Sequence, residues 1–304
     1  MKKISVIVIF ITLAFTMNAQ LTMQNKNEGI LITENGENVL FFQVEPKSLD
    51  GKYERCNYIH PLWSHDGTIL TEDFPADHYH HRGIFWTWHQ VWIGEKRIGD
   101  PWEIKDFEQD VIEVEFIKQA DGSVLLKTEV EWKSDKWKKN GKKVPYMNEK
   151  AKINIHPKNG KYRKIDFEIA LLALEENLKI GGSEDDKGYS GFSVRMKLPD
   201  DVKFEGVNGN VEPTRTALES PGFINASGSL LDNDGKAGIV MIDHPDNPDY
   251  PQKWILRARN SMQNAAWPGN KAVLVSNSEP LVLKYTLVVY EGQLNSKRIQ
   301  KIIK

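Results

Sequence analysis

Residues 77–92 read Asp-His-Tyr-His-His-Arg-Gly-Ile-Phe-Trp-Thr-Trp-His-Gln-Val-Trp. They hold four histidines, one arginine and three tryptophans, in a chain with eight histidines and nine tryptophans in all. With His60 and His65 just upstream, six of the eight histidines fall between positions 60 and 89. Imidazole is the side chain that changes charge near neutral pH, and it also ligates metals. An extended backbone over 78–81 sends His78 and His80 to one side and Tyr79 and His81 to the other. Beyond Gly83, Trp86, Trp88, Gln90 and Trp92 then share one face, and Phe85, Thr87, His89 and Val91 the other. Three readings fit. A histidine beside Arg82 moves protons over a floor of tryptophans; His78 and His80 hold a metal with His60, His244 or Asp77; or the cluster packs a core. A two-residue histidine spacing is a weak metal signal, so the leading reading needs no cofactor and the metal is the lesser alternative.

Other stretches carry chemistry-bearing residues. Asp243-His-Pro-Asp-Asn-Pro248 ends a strand in a sharp turn and sets His244 at its edge. Trp254 follows, then Arg257 and Arg259, which share a face if the segment is a strand; paired guanidiniums suit a carboxylate or sulfate. In Lys187-Gly-Tyr-Ser-Gly-Phe-Ser-Val-Arg195, Tyr189 is a candidate hydroxyl acid or base and Arg195 a candidate anion clamp. Trp63, Trp86 and Trp88 offer apolar faces for the C–H side of a sugar ring. No phosphate loop, dinucleotide glycine pattern, Gly-x-Ser-x-Gly elbow or paired-cysteine zinc motif is present. The single cysteine, Cys56, rules out an intrachain disulfide and is expected to be a buried, inert thiol.

The elements that must position these residues are strands. Ile112, Val114 and Phe116 alternate with glutamates, Asp121-Gly122 turns the chain, and Val124, Leu126, Thr128, Val130 and Trp132 alternate again. Asn35-Gly36, Asn159-Gly160 and Asp234-Gly235 mark further hairpins. Leu281–Tyr290 is a strong late strand, and only Leu294–Ile303 has helical periodicity. The pattern predicts an all-β fold, a large two-sheet antiparallel β-sandwich with a short C-terminal helix. Lys2 and Lys3 followed by the apolar run Ile4–Met17 and Ala19 predict a signal peptide over 1–19 and a periplasmic or secreted protein, with 20–304 as one sandwich domain and no lipobox cysteine. Without the two leader lysines, 38 basic residues face 42 acidic ones, which argues against a nucleic-acid partner. No apolar stretch after the leader approaches twenty residues, so no membrane span is expected. The oligomeric state is open.

The stretches Asp73-Phe-Pro-Ala-Asp-His-Tyr-His-His-Arg-Gly83, Asp243–Pro248 and Leu283–Gly292 resemble the secreted PmoA-like family over about residues 28–292. Many of its members carry a methane-oxygenase label, which the absence of long apolar spans argues against here. That family is similar to the galactose-mutarotase-like supersandwich, which hosts sugar epimerases; related sandwiches occur in polysaccharide lyases. The resemblance implies a carbohydrate-active protein and points to His78, His80, His81, Arg82 and His244. The Asn-His-x-Tyr-Phe-Asn-Leu stretch of typical epimerases is missing. Histidine, tyrosine and arginine are the types needed to abstract a proton beside a uronate carboxylate. The expected function is therefore a carbon–oxygen lyase acting by β-elimination on an acidic, uronate-containing oligosaccharide in polysaccharide breakdown, first of all a dehydratase forming an unsaturated uronate. The expected catalytic set is His78, His80, His81, Arg82, His244 and Tyr189. The expected substrate-binding set is Trp63, Trp86, Trp88, Arg195, Arg257 and Arg259. The alternatives are a sugar epimerase or mutarotase using Asp243 or Glu212, and a non-catalytic carbohydrate-binding protein.

Overall fold

Asn35 and Gly36 both have positive φ, 52° and 90°, the geometry a two-residue hairpin needs. They join the strands Gly29–Glu34 and Glu37–Gln43. The same turn logic joins Glu108–Lys118 to Val124–Lys133, Met147–Ile155 to Tyr162–Ala173, and Phe223–Ser229 to Lys236–Asp243. All the expected hairpins form. The computed structural model describes residues 20–303; the signal peptide expected over 1–19 lies outside them.

Two nine-stranded antiparallel sheets dominate. In the first, Ile84–Trp88 pairs with Tyr58–Leu62 on one side and Ser190–Val194 on the other; Gln263–Ala266 comes next. In the second, Tyr162–Ala173 lies between Met147–Ile155 and Leu281–Glu291. One apolar cluster takes Ile84, Trp86, Trp88, Phe192 and Val194 from the first sheet, and Ile153, Ile165, Phe167, Leu283 and Leu287 from the second. The protein is thus an all-β sandwich. Its only helix among the described residues, Ser296–Ile303, starts where Asn295 Oδ1 accepts from the Arg298 amide at 3.0 Å, as an N-cap does. It lays Ile299 on the outer side of the second sheet, against Val240 and Val288. No helix among the described residues is long and apolar enough to cross a membrane.

Two of the breaks in alternation change the expected faces. A bulge between Val111 and Glu113 leaves Ile112 52% exposed, while Val114 and Phe116 keep to the core. The strand through the tryptophans also breaks at His89. Gln90–Ile93 belongs to a separate four-stranded sheet with Leu178–Gly181, Val273–Leu274 and Lys96–Gly99. The break resets the phase, so Val91 joins Trp86 and Trp88 in the core instead of facing away from them.

Candidate functional site

Because Trp86 and Trp88 point inward, Phe85 and Thr87 point out of the sandwich. Phe85 stands opposite Ser193, and Ser193 opposite Asn264, along one row of the first sheet. On this outer face Phe85 packs with Tyr58, Trp102, Met262 and Tyr189 in a small aromatic cluster apart from the main core. The histidines gather above it.

Residues 75–82 are not extended. The His78 amide donates to the Pro75 carbonyl at 3.0 Å and the His81 amide to the His78 carbonyl at 2.9 Å, giving two linked turns. The turns bring His78, His80 and His81 onto one side instead of splitting them. His78 stacks on His81 at 4.7 Å, and His80 stands edge-on to His81 at 4.5 Å. Gly83 anchors the exit, at a φ of 50°. A Cβ there would meet the Ile59 carbonyl oxygen at 2.0 Å, so the chain passes only as glycine.

Arg195 holds the turns down. Its Nε donates to Glu72 at 2.8 Å, and Nη1 and Nη2 donate to the two Asp77 oxygens at 2.9 and 2.8 Å. Nη1 also lies 3.3 Å from His81 Nδ1. Asp77 in turn pairs with His78 Nδ1 at 2.6 Å. Burial pushes the Asp77 carboxyl up, but the bonds from Arg195 and His78 outweigh it and hold the pKa at about 2. Arg195 is therefore spent on the protein's own carboxylates and is not the free anion clamp expected. Burial, reinforced by His78 and Arg55, takes His80 down to about 3; burial with His80 and His78 takes His81 well below the usual imidazole range. Both are neutral near pH 7.

Arg82 lies outside this arrangement. It is sealed, with Nε on Asp73, Nη1 on the Tyr53 carbonyl at 2.8 Å and Nη2 on the Tyr58 hydroxyl at 2.6 Å, and its guanidinium sits 3.6 Å from the Phe74 ring centre. Its role is to fix Tyr53, itself at a φ of 55°. Tyr53 and Tyr79 are 36% and 38% exposed and form a ring pair 5.5 Å apart beside the histidine turns.

Two further pairs complete the face. His89, at the strand break, sets Nδ1 3.1 Å from Asp100 Oδ1 and stacks on Trp102 at 5.2 Å. A carboxylate only accepts, so Nδ1 carries a proton, and in the neutral ring Nε2 is the acceptor. On the other side Tyr189 packs on Trp102 at 5.7 Å, and its hydroxyl oxygen accepts from Arg257 Nη2 at 2.8 Å. The rest of Arg257 is held by the carbonyls of Thr214, Arg215 and Leu256, with no carboxylate among its hydrogen-bond partners. Arg257 follows the strand Lys253–Ile255 on a loop, so it shares no strand face with Arg259, which is exposed.

Beneath the turns lies Arg55, 3% exposed. Among the described residues its one hydrogen bond runs from Nη2 to the Pro101 carbonyl, and its buried Nε has no partner. The guanidinium lies 5.3 Å from the Phe85 ring centre and 5.6 Å from that of Phe107. Burial, then Arg82, lowers its pKa to about 9. Two aromatic faces return about 2 kcal/mol each at best, against several kcal/mol for desolvating the ion.

The remaining expected residues are elsewhere. Trp86 and Trp88 fill the sandwich core and cannot floor a ligand site. Trp63 lines a cavity of about 220 Å³ with His65, Lys158 and Arg163. His244 lines one of about 590 Å³ with Asp166, Glu168 and Lys284, outward-facing residues of the second sheet, the opposite side of the sandwich from the histidine turns. Asp243 is buried, its oxygens taken by Asn247 Nδ2 and the Gln252 amide at 2.8 Å each. Glu212 borders a third cavity of about 690 Å³. The structure thus brings together His78, His80, His81, Tyr189, Arg195 and Arg257, and separates Arg82, His244, Trp63, Trp86 and Trp88 from them. Among the described residues no three His, Cys, Asp or Glu side chains converge as a metal-binding group. Cys56 is buried, donates to the Gln109 carbonyl at 3.1 Å, and is pushed up to about 12 by burial. The residues that sequence reasoning missed are Arg55, Asp100 and Trp102, together with His89 as a member of the catalytic set.

The family model described as "Family of unknown function (DUF6807)" matches residues 29–304, and the chain belongs to that family. No curated protein matches the chain.

Proposed function

We propose that this face removes a proton from an acidic saccharide and expels a neighbouring oxygen, as a β-eliminating carbon–oxygen lyase. The observation that carries the reading is the meeting of two prepared pairs across one indole. His89–Asp100 and Tyr189–Arg257 both pack on Trp102. Asp100 fixes the His89 tautomer and leaves Nε2 as a base. Arg257 occupies a lone pair of the Tyr189 oxygen, so the phenolic proton is free to point at a ligand.

The balance is simple. His89 Nε2 takes the hydrogen on the carbon next to the carboxylate. The electron pair of that C–H bond becomes the new double bond, and the adjacent C–O bond breaks. The departing oxygen takes the proton of Tyr189. With a hydroxyl as leaving group the product is water and an unsaturated uronate; with a glycosidic oxygen the chain is cut. His80, neutral at working pH, serves as a hydrogen-bond group for sugar hydroxyls, with the buried His81 packed against it. The exposed Tyr53–Tyr79 pair takes the stacking role that sequence reasoning gave to Trp86 and Trp88. The resemblance of the histidine stretch to secreted PmoA-like proteins, and theirs to sugar-epimerase sandwiches, adds saccharide as the substrate class.

The test is incubation with uronate-containing di- and oligosaccharides. Near-ultraviolet absorbance from the new double bond should rise, and mass spectrometry should show either loss of water or paired cleavage products. His89→Gln and Tyr189→Phe should each abolish the signal while the protein stays folded. No absorbance and no mass change with any uronate substrate would remove the lyase reading.

A further inference from the structure

Arg55 does not fit a purely structural role. Arg82, the neighbouring buried guanidinium, has Asp73 as its acid partner, and the buried Arg163 has Glu34 at 2.6 Å. Arg195, the third, has Glu72 and Asp77. Among the described residues Arg55 has only a backbone carbonyl and two phenylalanine rings, and its buried Nε–H is left without an acceptor. Asp100, the nearby acid whose field reaches it, is already engaged with His89 and Arg97. Buried charges are ordinarily paired, so a buried cation without an acid marks a place where a partner is absent.

Its position says which partner. Arg55 lies against Phe85, whose ring adjoins His81 and Trp102. Its charge reaches both His80 and His81 and adds a little to the burial that keeps them neutral. It therefore sits under the same face that carries His89 and Tyr189. We infer that Arg55 is the reader of the ligand's carboxylate, a guanidinium set beneath the histidine turns that takes an anionic group of the saccharide as the acid partner the protein withholds. This rests on reading the face as an acidic-saccharide site. It adds the residue that tells a uronate from a neutral sugar and that meets the charge developing on the carboxylate as the proton leaves. A guanidinium suits this task because its planar donors match a carboxylate.

The experiment compares sodium glucuronate with glucose as probes of the full-length protein, by calorimetry and by NMR of the arginine Nε–H signals. Wild type should bind glucuronate at least about tenfold more tightly than glucose, and the Arg55 Nε–H, identified by its loss in Arg55→Lys, should shift on titration with glucuronate only. Arg55→Met should cut the preference to below about twofold and leave glucose affinity unchanged. Should that variant fail to fold, the wild-type Nε–H shift decides alone. An unmoved Arg55 signal, no glucuronate preference in wild type, or a preference kept in folded Arg55→Met each overturns the assignment. A glucuronate preference lost with Arg55, but without double-bond formation on any uronate, leaves Arg55 as the carboxylate reader and removes the lyase reading. Unsaturated products from Arg55→Met at unchanged KM do the reverse.

Discussion

Glu149 is a carboxyl in the wrong solvent. In the strand Met147–Ile155 the inward phase runs Met147, Glu149, Ala151, Ile153, Ile155, and Glu149 is fully buried between the sheets. Asn57 Nδ2 donates to Oε1 and Trp132 Nε1 to Oε2, each at 2.9 Å. The Trp86 indole N–H lies near the same carboxyl without closing a hydrogen bond of ordinary geometry. Burial dominates, and it raises the pKa from 4.5 to about 7 against the pull of those donors. The folded state thus holds the proton more tightly than the unfolded chain. Stability is greatest while Glu149 is protonated in both states and falls as pH rises from the unfolded value through the folded one. A shift of this size is worth about 3 kcal/mol, most of it falling between pH 5 and 8. Glu149→Gln removes the titration and turns one acceptor into a donor facing a donor, a pH-independent cost of about 1–3 kcal/mol. Urea unfolding of wild type and variant at several pH values gives the difference directly. It should move by about 2–3 kcal/mol in the variant's favour from pH 5 to pH 8. A difference that stays flat would mean that the sandwich core solvates this carboxylate, and the reasoning from burial would fail.

Four other expectations follow from the site. His89→Gln and Tyr189→Phe should each lower kcat by about 100-fold or more, while His244→Ala, on the other side of the sandwich, should stay within about twofold of wild type on the same absorbance assay. Nitrogen chemical shifts should show His80 and His81 neutral down to pH 5; titration of either near pH 6.5 would contradict the burial that holds them low. The Asp77 contribution to stability, from a depressed pKa, should be full above about pH 4 and be lost as pH falls towards 2; an Asp77→Asn variant should lack that acid limb in urea titrations. Gly83→Ala forces a Cβ against the Ile59 carbonyl at positive φ and should cost about 3 kcal/mol or more, read as a lowered Tm without change in the distant hairpins.

Strands and hairpins were readable because both are local. Asn35-Gly36, Asp121-Gly122 and Asp234-Gly235 declare turns within a few residues, and alternation on either side assigns the faces. The site was harder, because its geometry depends on departures from regularity. The turns at Pro75–His81 override the extended reading, so three histidines converge where alternation would separate them. The break at His89 moves that residue from mid-strand to a corner beside Asp100. The tryptophans mislead for an opposite reason. Trp86 and Trp88 do alternate as expected, but the side they share faces the second sheet, and alternation fixes which residues go together without fixing which side is wet.

Arginine shows the same limit most sharply. Arg55, Arg82, Arg195 and Arg257 are one residue type, and nothing in their local sequence ranks them. What separates them is the acid each one finds across the fold. Asp73 lies nine residues from Arg82, whereas Asp77 lies 118 residues from Arg195. Among the described residues Arg55 finds no acid, and Arg257 finds a phenol. Charges that the fold neutralises are structural by their pairing. The two left without a carboxylate partner among the described residues, Arg55 and Arg257, lie at the face that also holds the His89–Asp100 pair, and the proposed preference for an anion rests on that coincidence.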